Sequence, residues 1–159
     1  MGFQVGDKVI HYTFGLGEIS KIEEKTINGH PTTCFVFHTN DLTIWVPMDD
    51  GENNSLRTPT PPEEFTRILD ILTSPSETLV EDRVLRKTML VSQLNDGKLA
   101  SICQVVRDLT HYQRSSKLND QEKSILERAV KSLLTEWAFS LGTPNHQAHQ
   151  TMDRMLEGI

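Results

Sequence analysis

The amino-acid sequence predicts an α+β protein in two segregated parts: an N-terminal bent β-sheet or open barrel, then an all-α part of four to five helices. Three observations predict it. Over the first fifty residues, apolar side chains alternate with a period of two. Residues 49–62 then carry a polar, acidic run and three prolines, Pro59, Pro61 and Pro62. Beyond them the apolar spacing changes to 3.6 and holds to the C-terminus.

The strands come first. Lys8-Val9-Ile10-His11-Tyr12 is one run, and Gly15 to Ile22 opens a second after a glycine turn. Asn28-Gly29 is a two-residue hairpin signal, because both residues tolerate positive φ. Thr32 to His38 alternates, with Cys34, Val36 and His38 on one face and Thr33, Phe35 and Phe37 on the other. Leu42 to Pro47 is a further β-rich run that Pro47 ends or marks as an edge. Short strands with tight turns and no intervening helix point to a small, strongly bent sheet.

The boundary runs from Asp49-Asp50-Gly51-Glu52-Asn53-Asn54 through the prolines, which divides the chain into residues 1–58 and 59–159. Thr60-Pro61-Pro62-Glu63 has the form of a capping box with proline at the first helical position. Phe65, Ile68, Leu69 and Leu72 form the stripe that follows, and Thr73 to Ser76 breaks it. A second helix is expected over Glu81 to Leu94 and a third over about Lys98 to Tyr112, with Leu99, Ile102, Cys103, Val106 and Leu109 inward. Asn119 and Glu122 can cap a fourth, whose stripe is Ile125, Leu126, Ala129, Leu133, Trp137 and Leu141. Gly142 is its natural stop, and a last helix runs from Thr143-Pro144 to Leu156.

Composition excludes several classes. No run of 18 apolar residues is present, which argues against a membrane partner. The opening Met-Gly-Phe-Gln-Val-Gly-Asp-Lys has neither the basic flank nor the apolar stretch of a secretion signal. Cys34 and Cys103 fall in different elements and read as two partly buried thiols of a reducing compartment. The expected location is cytoplasmic. The net charge of −6 argues against free DNA binding, but residues 83–131 hold ten basic against five acidic side chains. An acidic protein with one basic helical segment suits delivery to DNA by a protein partner.

No catalytic constellation is found, and no cofactor or small-molecule substrate is implied. Gly15-Leu16-Gly17 lacks the third glycine and the following helix of a phosphate loop, so a β-turn is the simpler reading. His146 and His149 share a helix face but have no further metal ligand nearby, and Cys34 and His38 lie about 13 Å apart along a strand. There is no Gly-x-Ser-x-Gly elbow, and Glu23-Glu24, Asp49-Asp50 and Glu63-Glu64 read as solvated pairs. The protein is read as a non-enzyme. What remains is surface. Arg83, Arg86 and Lys87 cluster within about one turn, and Arg107, Arg114 and Lys117 stand on or after the third helix. These are either a solvated charged face or contacts to backbone phosphates. Trp45 is either core or an anchor for a partner.

As an ordered set, the motifs resemble a known family. Phe3-x-Val5-Gly6-Asp7-x-Val9, Gly15-x-Gly17-x-Ile19, Ile22-Glu23, Thr26-Ile27-x-Gly29 and Leu42-Thr43-Ile44-x-Val46-Pro47 are similar to the opening of the CarD/CdnL transcription factors of bacteria. The polymerase-interacting domain of transcription-repair coupling factors opens in a similar way. Gly97, Val105 to Leu109 and the Leu118 to Lys123 helix start look like the CarD helical half. The resemblance implies a Tudor-like sheet that adds to a strand of the RNA polymerase β subunit. It places Lys25, Thr43, Ile44 and Trp45 on that surface, with Lys25 and Trp45 where the family characteristically has arginines. It also implies a helical domain that meets the upstream edge of the promoter bubble and stabilises the open complex. Arg83, Arg86, Lys87, Arg114 and Lys117 are then the expected contacts to promoter DNA, weak and dependent on polymerase. Arg83 stands where the family carries a wedge tryptophan. The alternative is an adaptor that binds polymerase without productive DNA contact.

Overall fold

A computed structural model of the chain describes residues 2–48 and 55–158. The chain divides into two compact units, Met1–Pro59 and Thr60–Ile159. The acidic run at 49–54 lies outside the described residues.

The first unit is an antiparallel sheet of β1 (Lys8–His11), β2 (Gly15–Ile27), β3 (His30–His38), β4 (Thr43–Pro47) and β5 (Leu56–Arg57), in the order β4-β3-β2-β1-β5. Asn28 at φ 52° and Gly29 at φ 80° make the tight turn that joins β2 to β3. A bulge between Ile19 and Lys21 increases the local twist and lets the long β2 bend. The concave face buries Val9, Ile19, Phe35, Phe37, Val46 and Leu56, with Phe3 and Ile44 packed against them. Gly17 lies under this layer. A Cβ there would sit 2.6 Å from the Phe37 ring and against the His38 carbonyl, so the close approach needs glycine. Two features depart from the sequence pattern. β2 continues five residues past Ile22 to the hairpin. The fifth strand is Leu56–Arg57, inside the stretch read as boundary; two residues carry no periodicity, and only pairing with Ile10 and His11 makes them a strand.

The second unit comprises α1 (Pro62–Leu69), a 3₁₀ turn at Asp70–Thr73, α2 (Arg83–Asn95), α3 (Leu99–Gln113), α4 (Asp120–Leu141) and α5 (Asn145–Glu157). Its core joins Phe65, Leu69 and Leu72 to Leu90 and Leu94 of α2, the inner face of α3, and Ile125, Ala129, Leu133 and Trp137 of α4. Leu126 and Leu141 of the expected α4 stripe are half-buried at its margin. The box at α4 forms as expected: Asn119 Oδ1 accepts from the Glu122 amide at 2.8 Å, and Glu122 Oε1 accepts from the Asn119 amide at 3.0 Å. Gly142 at φ 65° ends the helix. The box expected at α1 does not form. Pro61 is the N-cap, and the Thr60 amide and hydroxyl donate instead to the buried Glu136 carboxylate at 2.9 and 2.6 Å.

Candidate functional site

The sheet order leaves β4 at one end, and among the described residues no strand pairs with its outer side. Which backbone groups it offers follows from the pairing. The Thr39 amide donates to the Leu42 carbonyl and the Met48 amide to the Thr33 carbonyl, both at 3.0 Å. Hydrogen-bonded pairs alternate along an antiparallel ladder, so Ile44 and Val46 also turn their amide and carbonyl toward β3. Thr43 and Trp45 therefore turn theirs outward, and Pro47 adds a carbonyl but no N–H. The open edge thus presents two donors and three acceptors.

Side chains on β4 split the same way. Ile44, placed by resemblance on the partner-facing surface, packs its side chain into the concave core. It is corrected to a core residue, because it stands opposite Phe37 on the inner face. Thr43 is exposed, and its hydroxyl meets His38 Nδ1 at 2.8 Å. Trp45 is half-buried and lies on the outer face, where its Nε1 donates to Glu23 Oε2 at 2.8 Å. Lys25 Nζ sits 3.7 Å from the indole centroid, a cation–π contact. Lys21 also reaches Glu23, at 3.0 Å. The indole and ammonium donors hold the Glu23 carboxyl below its ordinary value. Glu23 and Lys25 stand on β2 opposite Cys34 and Thr32 of β3, so the ring slants across β3 rather than past the open edge. That explains why Cys34 and Val36, on the outer face, are 0 % and 1 % exposed.

The basic segment of the helical unit is less available than its charge count implies. Arg83 and Lys87 are exposed on α2, and Lys117 is exposed between α3 and α4. Arg86 is 7 % exposed; its Nε donates to the Glu122 carboxylate and its Nη1 to the Val80 and Glu81 carbonyls at 3.1 Å each. It is corrected from a phosphate contact to a buried pair. Arg107 is buried too, bound to Asp108 at 2.8 Å and Ser74 at 2.7 Å. Arg114 Nη2 donates to the Leu156 carbonyl at 2.6 Å, where a cation offsets the partial negative charge of the α5 terminus. Two features escape the pattern of the sequence. Glu23 orients Trp45, and nothing local marks that pairing. On α2, Val84, Leu85 and Met89 are 75, 50 and 52 % exposed; their positions off the Arg86-Leu90-Leu94 face were the available signal.

Other chemistry is sparse. His149 pairs with Asp153 one helical turn on, at 3.1 Å. Among the described residues, no three or more histidine, cysteine or acidic side chains are placed to hold a metal ion, and no helix is long and apolar enough to cross a membrane. Burial pushes the Cys103 thiol up to about 12, the opposite of an activated nucleophile.

Comparison with known proteins covers both units. Residues 3–58 match the model of the CarD-like/TRCF RID domain, and residues 67–153 match that of the CarD C-terminal domain. A relative in Bacillus subtilis (strain 168), named "Putative transcription factor YdeB", is 26 % identical over 140 residues, covering 84 % of this chain and 89 % of its own length. With both family domains present in order over most of its length, the chain belongs to the CarD/CdnL family of transcription factors.

Proposed function

We propose that the protein binds RNA polymerase through the open edge of β4, by strand addition to the β subunit, and that its helical unit contacts the upstream edge of the promoter bubble and modulates open-complex stability. The observation that carries the reading is the outward main chain of Thr43 and Trp45 on an end strand of the sheet. Main-chain bonds supply affinity in such pairing, and flanking side chains select the partner. Thr43, Trp45 and Lys25 serve on this surface, with Ile44 supporting them from the core. Arg83, Lys87 and Lys117 are the exposed cations for DNA backbone, and Arg114 adds to them only beyond its bond to Leu156.

Thr43→Pro tests the edge. It deletes an outward N–H and leaves the bonds of Ile44 and Val46 to β3 in place, a position where an edge strand tolerates proline. Polymerase pull-down should weaken while the unfolding temperature holds. Undiminished binding would overturn strand addition at β4.

A second reading is favoured by the internal pairing of Arg86 and Arg114. In it the protein is an adaptor on polymerase with no productive DNA contact. An Arg83→Ala variant with a wild-type open-complex lifetime and intact polymerase binding would select it.

A further inference from the structure

The first half of α2 is held unlike the rest of the helical unit. From Arg83 to Met89 every residue is exposed except Arg86, and apolar burial begins only at Leu90 and Leu94. One charged side chain therefore docks these two turns. Its guanidinium reaches three places at once. Nε donates to Glu122 on α4, Nη1 donates to Val80 and Glu81 in the segment leading into α2, and Cζ lies 5.2 Å from the centroid of the Tyr112 ring on α3. Glu122 is equally committed, because its second oxygen accepts from the Asn119 amide in the α4 box. The two side chains are 8 % and 2 % exposed.

An apolar side chain at 86 would fill space without setting direction, and it would leave two carbonyls short of a donor. A planar fork with fixed donor angles sets both the rotation of α2 and the path of the chain into it. The rotation decides where Arg83 and Lys87 project as cations, one turn apart, while Val84, Leu85 and Met89 stay uncovered on other sides of the helix.

We infer that Arg86 is a positioning residue for the DNA-facing surface. Its pair with Glu122 keeps the first two turns of α2 preformed, so that Arg83 and Lys87, one turn apart on the helix, meet DNA as one rigid pair. This rests on the promoter-contact reading above and adds to it the group that organises the contact.

The test uses full-length Arg86→Met, Glu122→Gln and Arg83→Ala/Lys87→Ala proteins. Glu122→Gln keeps a carbonyl acceptor for the Asn119 amide and turns an NH2 donor, in place of the carboxylate oxygen, toward Arg86, so it breaks the pair and serves if Arg86→Met folds poorly. Amide exchange over residues 83–89 should accelerate by about tenfold or more in both single variants, with residues 99–113 unchanged. With polymerase and a promoter, open-complex lifetime and its salt dependence should shift to those of the double variant. A loss of salt dependence reports lost phosphate contacts rather than general destabilisation. Wild-type exchange over 83–89 in both single variants overturns the inference. So does a wild-type lifetime in them when the double variant shifts it. A wild-type lifetime in the double variant instead removes the promoter-contact reading, and this surface's role with it.

Discussion

Glu23 and Trp45 stand on strands that each pair with β3, and they meet across it, the indole Nε1 2.8 Å from Glu23 Oε2. Lys25 closes the other side of the ring at 3.7 Å from its centroid. The outer face of the sheet thereby gains a cover that the alternation of β3 alone would not provide. Trp45 has two jobs on this account, shielding Cys34 and Val36 and flanking the edge that receives a partner.

Trp45→Ala should therefore give two separable effects. Polymerase affinity should fall by about 2 kcal/mol or more, the size expected of an interface hot spot. Cys34, now fully buried, should react with a thiol reagent under native conditions, while Cys103 stays protected. Labelling at the wild-type rate would show that the ring does not cover Cys34.

Gly17→Ala should destabilise the β unit by about 1–3 kcal/mol, the usual cost of forcing an extra carbon into a packed site. The new Cβ would lie 2.6 Å from two Phe37 ring carbons and against the His38 backbone, which cannot swing aside. Thermal unfolding followed at Trp45 in a Trp137→Phe background reads this unit alone; an unchanged midpoint would contradict the contact.

His11 makes the β unit sensitive to acid. Its Nδ1 accepts from the Thr13 and Phe14 amides at 3.0 and 3.3 Å, which only an unprotonated nitrogen can do. Burial holds the imidazole below its ordinary value of 6.5. The unfolded chain therefore binds the proton more readily than the folded one. The stabilisation is complete above about pH 6.5 and is lost as pH falls from there through the lower folded value. Urea unfolding of wild type and His11→Gln between pH 7.5 and 5.5 should show a steeper loss in wild type. Parallel curves would refute the assignment.

The α4 box and the buried pair share Glu122, so two substitutions there should differ in size. Asn119→Ala removes one cap and should cost about 1 kcal/mol. Glu122→Ala also strands Arg86 without its partner in the interior and should cost about 3–5 kcal/mol. Equal midpoints in denaturant would mean that Arg86 finds water when Glu122 is gone.

Much of the fold depends only on neighbours along the chain. Period-two alternation to Pro47 and 3.6 spacing from Phe65 settle strand and helix, since each pattern buries one face only in its own geometry. Asn28-Gly29, the Asn119-Glu122 box and the Gly142 stop are local dihedral or capping demands, legible within four residues. Where charge and edge lie depends instead on contacts between distant segments. Arg83 and Arg86 look alike in the sequence, yet one is exposed and the other is committed to a glutamate 36 positions away. Leu56–Arg57 is a strand because β1 lies beside it, and Thr60 serves Glu136 rather than its own helix. Trp45 points back over β3 because Glu23 and Lys25 sit two strands over. Burying a charge or an indole N–H demands a partner, and folding brings partners from distant parts of the chain, where no local pattern records them.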